Sequence, residues 1–315
     1  MTDRPILLFG FRGQIGDELL RLLAPRGDVL APGREEVNLS YADHVRTYIR
    51  TARPSIILNA AAYTDVDEAE EMPTMAMAMA MNADAPRVMA EEAYQLGIAL
   101  VHYSTDYVFD GSGGSGEPAA PSGLRPYGET DAAKPLGMYG RSKWMGEEAI
   151  RTVGPAHLIL RTSGVYSVRR RNFLTTIRRL ALEQDELRIV DDQIGAPTCA
   201  HDIAVETVRI LDRTNAAGVP AMLVKFGGTF HLTAAGSTSW HGFATAIVDR
   251  LCRRGDWPEG RAKPTVSAIK SKDFEAKAAR PGYSVLDSQA IHTAFETEMD
   301  DWTAQLDRCL AAGVF

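Results

Sequence analysis

Cysteine is scarce in this 315-residue sequence: Cys199, Cys252 and Cys309 stand far apart and are odd in number. Such a set builds no disulfide framework and shows no metal-ligand spacing, and it suits a reducing cytoplasm. The seven histidines are scattered, with no His-x-x-x-His pair, so no zinc-type site and no metal is expected. No apolar stretch approaches the ~20 residues of a membrane span, and no membrane partner is expected. The opening "MTDRPILLFG" runs into a glycine turn rather than a signal-peptide cleavage site. Positive charge is in deficit, with 34 Lys and Arg against 41 Asp and Glu. That balance gives no general pull on nucleic acid or anionic lipid, so any anionic ligand must be held by local groups. Against these absences, 45% hydrophobic and 24% charged residues describe a globular chain long enough for a sizeable core.

The apolar pattern alternates strand and helix. "PILLFG" (5–10) predicts a buried strand, and "QIGDELLRLLAP" (14–25) a helix stopped at Pro25. "DVLAPG" predicts a second strand, "SYADHVRTYIRTARP" (40–54) a helix capped by Ser40, and "SIILNAAA" (55–62) a third strand. "TMAMAMAMNADAP" (74–86) alternates strictly, yet Ala and Met are strong helix formers, so it is read as helix. "IALVHYSTDYVF" (98–109) is a strand ending in polar residues. The alternation continues to "HLILRTSGVY" (157–166) and "NFLTTIRRLALEQ" (172–184), then loosens into short elements. The expected fold is α/β: a Rossmann-type doubly wound parallel sheet with a smaller mixed α/β C-terminal substrate part. The division expected is 1–166 mainly for the dinucleotide and 167–315 mainly for the substrate, with the chain crossing between them. The Gly/Ser/Pro-rich stretch 110–129 reads as a surface loop, and its place between two candidate site segments suggests a lid.

"FGFRGQIGDELL" puts Gly10, Gly13 and Gly16 between the first strand and first helix. Glycines there allow a tight turn and close approach to a pyrophosphate, which the helix N-terminus then faces. The second strand ends "APGREE", with Arg34 where an acidic residue would favour NAD. A guanidinium matches a 2′-phosphate, so NADPH is the cofactor expected and NADH the alternative.

"GMYGRSKWMGE" (137–147) places Tyr139 and Lys143 four positions apart, on one face of a helix. "HYSTDYVFDG" supplies Thr105 and Asp106 at the C-terminal end of a strand, the edge where ligands bind in such sheets. Together these groups match carbonyl reduction. Hydride addition to a ketone leaves an alkoxide, which Tyr139 can protonate if a neighbouring ammonium stabilises its phenolate. Lys143 would supply that charge and hold the nicotinamide ribose, while Thr105 would donate to the carbonyl oxygen.

With "GQIG", "NAAAYTDVDEAE", "YGRSK", "RTSGVY", "DDQIGAPT", "FHLTAAGSTSWHGFA" and "ARPGYSVLD" added, the chain resembles the extended short-chain dehydrogenase/reductase family nearly end to end. The resemblance implies NAD(P)H-dependent reduction of the C4 ketone of dTDP-4-dehydro-L-rhamnose to dTDP-L-rhamnose. A homodimer is the assembly it suggests. It implies that Gly13, Gln14 and Ile15 cradle the pyrophosphate and that Asn38 and Leu39 border the adenine. Ala62, Tyr63 and Thr64 would line the cofactor trough, and Tyr103 would lie behind the nicotinamide. Thr105 and Asp106 would touch the sugar, and 172–198, beginning at Asn172, would help form its pocket. Gly164 stands where the family usually has a Trp that packs on the deoxysugar; the lid at 110–129, through Leu124, Pro126 and Tyr127, is expected to fill the gap. Glu18 matches an acidic position that can hold magnesium in the family, but "CAHDIA" lacks its partner. Two alternatives share the ancestry: a non-catalytic NADP-binding regulatory subunit of the methionine adenosyltransferase type, and another sugar-nucleotide reductase or epimerase.

Other residues have plainer readings. The acidic run Asp65 to Glu71 reads as a solvated helix start. His102 reads as packed in a strand, and His231, Trp240 and His241 as structural. The arginines at 169–171 and Arg280 are candidates for the substrate diphosphate.

Overall fold

A computed structural model describes residues 4–115, 123–215, 219–254 and 257–313. The chain runs β1 (Ile6–Phe9), α1 (Gln14–Leu23), β2 (Val29–Leu30), α2 (Ala42–Ala52), β3 (Ile56–Asn59), α3 (Thr74–Met79), a π-helical turn (Ala80–Asp84), α4 (Ala85–Leu96) and β4 (Ala99–Thr105). It continues through α5 (Met138–Val153), β5 (His157–Thr162), α6 (Phe173–Glu183), β6 (Glu186–Val190), β7 (Ile194–Gly195), α7 (Ala200–Asn215), α8 (Val219–Phe226) and β8 (Gly228–His231). The last elements are β9 (Thr238–Ser239), α9 (Trp240–Arg253), β10 (Thr265–Ile269), α10 (Gln289–Phe295) and α11 (Trp302–Ala312). Among the described residues no helix is long and apolar enough to cross a membrane.

The central sheet has the order β2-β1-β3-β4-β5-β8, and every pairing in it is parallel. Both faces are covered, which is why its strands read as unbroken apolar runs. Side chains alternate between faces. Leu7, Phe9, Ile57, Leu100 and Ile159 meet α2, α4 and α5 on one side. Leu8, Leu58, Val101 and Leu160 meet α1, α7, α8 and α10 on the other. The sixth strand and α7 come from beyond residue 167, so the chain returns to the sheet after leaving it. A second core joins α6, α9, α11 and β6 around Phe243, Ile247 and Leu306, beside the small pairs β6–β10 and β7–β9.

Two local expectations change. Ser40 does not cap α2: the N-cap is Tyr41, with no side-chain bond, and Ser40 N–H instead donates to Asn38 Oδ1 at 3.0 Å. The Met/Ala stretch is helical, as its propensities require, but the π turn divides it. That turn places Asn82 so that its amide pairs with both backbone groups of Tyr63 (2.8 and 3.0 Å) and with Ser142 Oγ of α5 at 3.0 Å.

Candidate active site

A cavity of about 870 Å3 opens at the C-terminal ends of β1, β3, β4 and β5 and extends to α6, β7 and the start of α9. The crevice beyond the strand ends is where open α/β sheets bind ligands. Its floor is the glycine turn. A side chain on Gly16 would collide with Gly10 O at 2.1 Å, and one on Gly10 with the Ala60–Ala61 backbone. The turn therefore closes only with glycine at these two places. Gly13, the N-cap of α1, brings no side-chain cap, so the first N–H groups of the helix face the cavity with Gln14 and Ile15. An uncapped N-terminus of this kind suits a pyrophosphate.

Helix α5, which carries Tyr139 and Lys143, is seated by a carboxylate and two glycines. Glu70 Oε1 accepts Met138 N–H at 2.8 Å and so caps α5 from a distant segment. A Cβ on Gly140 would meet Tyr107 O, and one on Gly146 would meet Asn82 O, both at 2.1 Å. The helix presses on its neighbours at these points, and that fixes the rotation aiming Tyr139 and Lys143 into the cavity. Tyr139 rests edge-on against Tyr107 (5.9 Å, 79°). Burial pushes its phenol up to about 12, partly offset by its hydrogen bond with Thr105 and reinforced by the Asp106 carboxylate.

Thr105 Oγ1 donates to Asp106 Oδ1 at 3.1 Å and accepts Tyr107 N–H at 3.2 Å. Ser163 donates to Asp106 Oδ2 at 2.8 Å. Burial raises the Asp106 pKa although Ser284, Ser163 and Thr105 all hydrogen-bond its carboxylate. Lys143 is 2% exposed and donates to Tyr103 O at 2.6 Å. Burial brings its ammonium down to about 8, against the opposing pull of Glu147.

Most residues singled out from the sequence line this one cavity: Gly10, Gly13, Gln14, Ile15, Arg34, Asn38, Leu39, Ala62, Thr64, Tyr103, Thr105, Asp106, Tyr139, Lys143, Gly164 and Asn172. Three do not. Gly16 lies beneath the turn, and Tyr63 serves through its backbone. Arg280 pairs with Asp67 at 2.7 Å. The acidic run opens a short 3-10 helix, Glu68–Glu70, and Asp65, Glu68 and Glu71 are exposed, but Asp67 holds Arg280, Glu70 caps α5, and Glu71 pairs with Lys277 at 2.7 Å. Asn172 reaches the wall, but its amide is taken up in a capping box at the start of α6. Of the three adjacent arginines, Arg169 is held by Glu18 at 3.1 Å, while Arg170 and Arg171 line the cavity. Glu18 also meets His201 at 3.0 Å. Among the described residues no group of three metal-ligating side chains occurs.

The described portion of the 110–129 loop does not lie over Gly164 in this structure. Tyr127 is 3% exposed and stacks on Phe109 with ring centroids 4.1 Å apart. Its hydroxyl donates to Asp110 at 3.0 Å. Leu124 packs in the same small core, and no described residue of 110–129 lines the cavity. Residues 116–122 lie outside the described residues. The space is approached instead by Trp240. A Cβ on Gly164 would lie 3.6 Å from Trp240 Cη2 and 3.2 Å from Pro197 Cα. Gly164 also has φ +52, which strains any other residue.

Trp240, read as structural, thus lines the site together with Phe173, with which it packs at 4.6 Å. Arg12 belongs to the site as well, without having been singled out from the sequence. It shares the cavity mouth with Arg34 and pairs with Glu35 at 2.7 Å. A basic residue inside the glycine turn was the available signal.

The RmlD substrate binding domain family matches residues 4–314. The dTDP-4-dehydrorhamnose reductase of Burkholderia thailandensis is 40% identical, over 97% of this chain and 97% of its own length. That of Salmonella typhimurium is 36% identical over 97% and 96%. A solved Bacillus anthracis dTDP-4-dehydrorhamnose reductase in complex with NADP superposes with a TM-score of 0.83, at 30% identity over 98% of this chain and 99% of that one. With near-complete coverage in both directions, the chain belongs to the RmlD substrate binding domain family.

Proposed function

We propose that this protein reduces the C4 ketone of dTDP-4-dehydro-L-rhamnose to dTDP-L-rhamnose with NADPH, and with NADH less effectively. The observation that carries the reading is the convergence of Thr105, Tyr139 and Lys143 in the cavity that also receives the uncapped start of α1. A non-catalytic NADP-binding subunit would have no use for a phenol and a buried ammonium at the same sheet edge. The relatives named dTDP-4-dehydrorhamnose reductase, one of them solved with NADP, support the substrate and cofactor.

Bound along the trough, the reduced nicotinamide supplies hydride. The α1 N-terminus and Gly13 would hold the pyrophosphate, Asn38 and Leu39 would border the adenine, and Arg12 with Arg34 would meet the 2′-phosphate. Tyr139 gives its proton to the C4 oxygen. Its raised pKa keeps that proton in place until the alkoxide forms, and a charged Lys143 then lowers the cost of the phenolate. Thr105 turns its hydroxyl from Asp106 to the carbonyl oxygen. Asp106, held by Ser163, positions Thr105 and the neighbouring sugar hydroxyl. Arg170 and Arg171 face the diphosphate, while Trp240 and Phe173 offer an apolar wall to the deoxysugar. Residues 1–166 mainly hold the cofactor, and residues 167–315 mainly the sugar nucleotide. Three free cysteines accord with a cytoplasmic site of action.

Incubation with dTDP-4-dehydro-L-rhamnose and NADPH, following absorbance of the reduced cofactor, tests the reading. Stoichiometric oxidation with formation of dTDP-L-rhamnose is expected. Cofactor binding without oxidation would return the protein to the regulatory class.

A further inference from the structure

The chemistry above makes no use of His102, yet this residue stands directly behind Lys143. It lies in mid-sheet, opposite Asn59 in the β3–β4 register, and is fully buried. Asn59 Oδ1 accepts Ala61 N–H at 3.2 Å. That bond fixes the amide, so Asn59 Nδ2 is the atom facing His102 Nδ1 at 3.0 Å, and it donates. A neutral imidazole carries one proton. With Nδ1 accepting, the proton is on Nε2, and Nε2 faces Lys143 Nζ at 3.2 Å.

An ammonium has three donors and no acceptor. Nε2–H against an ammonium is donor against donor. The same contact becomes a hydrogen bond once Nζ is an amine, which still donates to Tyr103 O. Charging the imidazole offers no escape, because burial and the Lys143 charge hold His102 well below its ordinary pKa. Moving its proton to Nδ1 would oblige the Asn59 amide to turn. Ala61 N–H, beside the cofactor trough, would then lose its acceptor. Leaving a buried donor unmatched costs about 1–3 kcal/mol.

We propose that His102, locked in one tautomer by Asn59 and Ala61, is a positioning residue that sets the protonation state of Lys143. The proposal rests on the reductase reading, in which Lys143 supports Tyr139. The remaining charged neighbours do not undo the effect. Glu147, one turn along α5, favours the ammonium, but its carboxylate is chelated by Arg161 at 2.9 and 2.7 Å and touched by Arg151 at 3.1 Å. Just past β4, Asp106 is engaged with Thr105 and Ser163. Tyr139, the preceding turn's neighbour, is neutral at rest. No ion pair involves Lys143 among the described residues. With burial bringing the Lys143 ammonium down to about 8, the charged form is lost on the alkaline side, where activity should fall.

The experiment compares the alkaline limb of kcat/KM in wild type, His102→Gln and His102→Phe. Glutamine spans a similar length and can turn its carbonyl oxygen to the ammonium. It should move the limb upward by about one pH unit, the equivalent of one hydrogen bond. Phenylalanine removes the opposing Nε2–H but offers no acceptor, and should move the limb upward by less. A limb that stays put in His102→Gln, or rises equally in both variants, overturns the proposal.

Nitrogen NMR of 15N-histidine-labelled wild-type protein needs neither folded variants nor substrate. The His102 resonances should report the Nε2–H tautomer above the limb and change in step with it. An Nδ1–H pattern, or signals indifferent to pH, overturns the assignment. Because this arm is read without turnover, a missing reductase activity and a wrong role for His102 give different results.

Discussion

The indole of Trp240 ends 3.6 Å from the point where a side chain on Gly164 would begin. One residue opens α9 and the other follows β5, so the contact joins the two halves of the molecule at the cavity wall. Trp240→Ala should weaken the sugar nucleotide selectively. Losing contact with about 60 Å2 of apolar area, at about 25 cal/mol per Å2, corresponds to about 1.5 kcal/mol or tenfold in affinity. Titrations with dTDP-L-rhamnose and with dTDP separate sugar from base. A tenfold loss for the first with none for the second is expected. Equal losses would move Trp240 to the nucleobase.

Tyr139→Phe keeps the ring against Tyr107 and removes only the proton donor. Cofactor affinity should be preserved while kcat falls roughly 10²–10⁴-fold, the usual contribution of a positioned acid. Stopped-flow measurement of NADPH oxidation at saturating substrate checks it. Turnover near the wild-type rate would take Tyr139 out of the mechanism.

Arg12 and Arg34 share the mouth where the adenosine ribose should lie. Charge-assisted hydrogen bonds contribute about 1.5–3 kcal/mol. Arg34→Ala should therefore lower NADPH efficiency by about tenfold or more and leave NADH nearly unchanged. Arg12→Ala should act in the same direction but more weakly, because Arg12 is already paired with Glu35. The ratio of the two kcat/KM values is the measurement, and a constant ratio would acquit both arginines.

Glu147 and Arg161 are buried together in a bidentate pair, at 2.9 and 2.7 Å. Burial pushes the Glu147 carboxyl up, but Arg161 and Arg151 more than offset this, and its pKa is lowered overall. A group depressed in the folded state contributes stability above its unfolded pKa and loses it as pH falls through the folded value. Wild type should thus lose stability on acidification below the ordinary glutamate range. Glu147→Gln should be destabilised by about 3–5 kcal/mol at neutral pH, with Arg161 left uncompensated. It should also show a flatter dependence on acid. Urea unfolding at several pH values would expose an undiminished acid slope if Glu147 were not responsible.

Much of this was legible along the chain. The strand–glycine turn–helix start, the unbroken apolar strands and the Tyr139/Lys143 spacing are local patterns, set by residues within a turn or two of one another. They fix backbone conformation and the face a side chain occupies, which suffices for the doubly wound sheet and for the edge where the cavity opens. Even so, the glycines at 140 and 146 carried no message until Tyr107 and Asn82 were seen to press on them.

What only the tertiary structure decided are pairings between segments remote in sequence. Trp240 approaches the space at Gly164, Arg280 pairs with Asp67, Tyr127 stacks on Phe109, and His102 stands between Asn59 and Lys143. Each is a competition among partners for a polar atom or an apolar gap. Which partner wins depends on where parallel strand register and helix packing bring distant side chains together, and the local periodicity of a sequence contains no term for that distance.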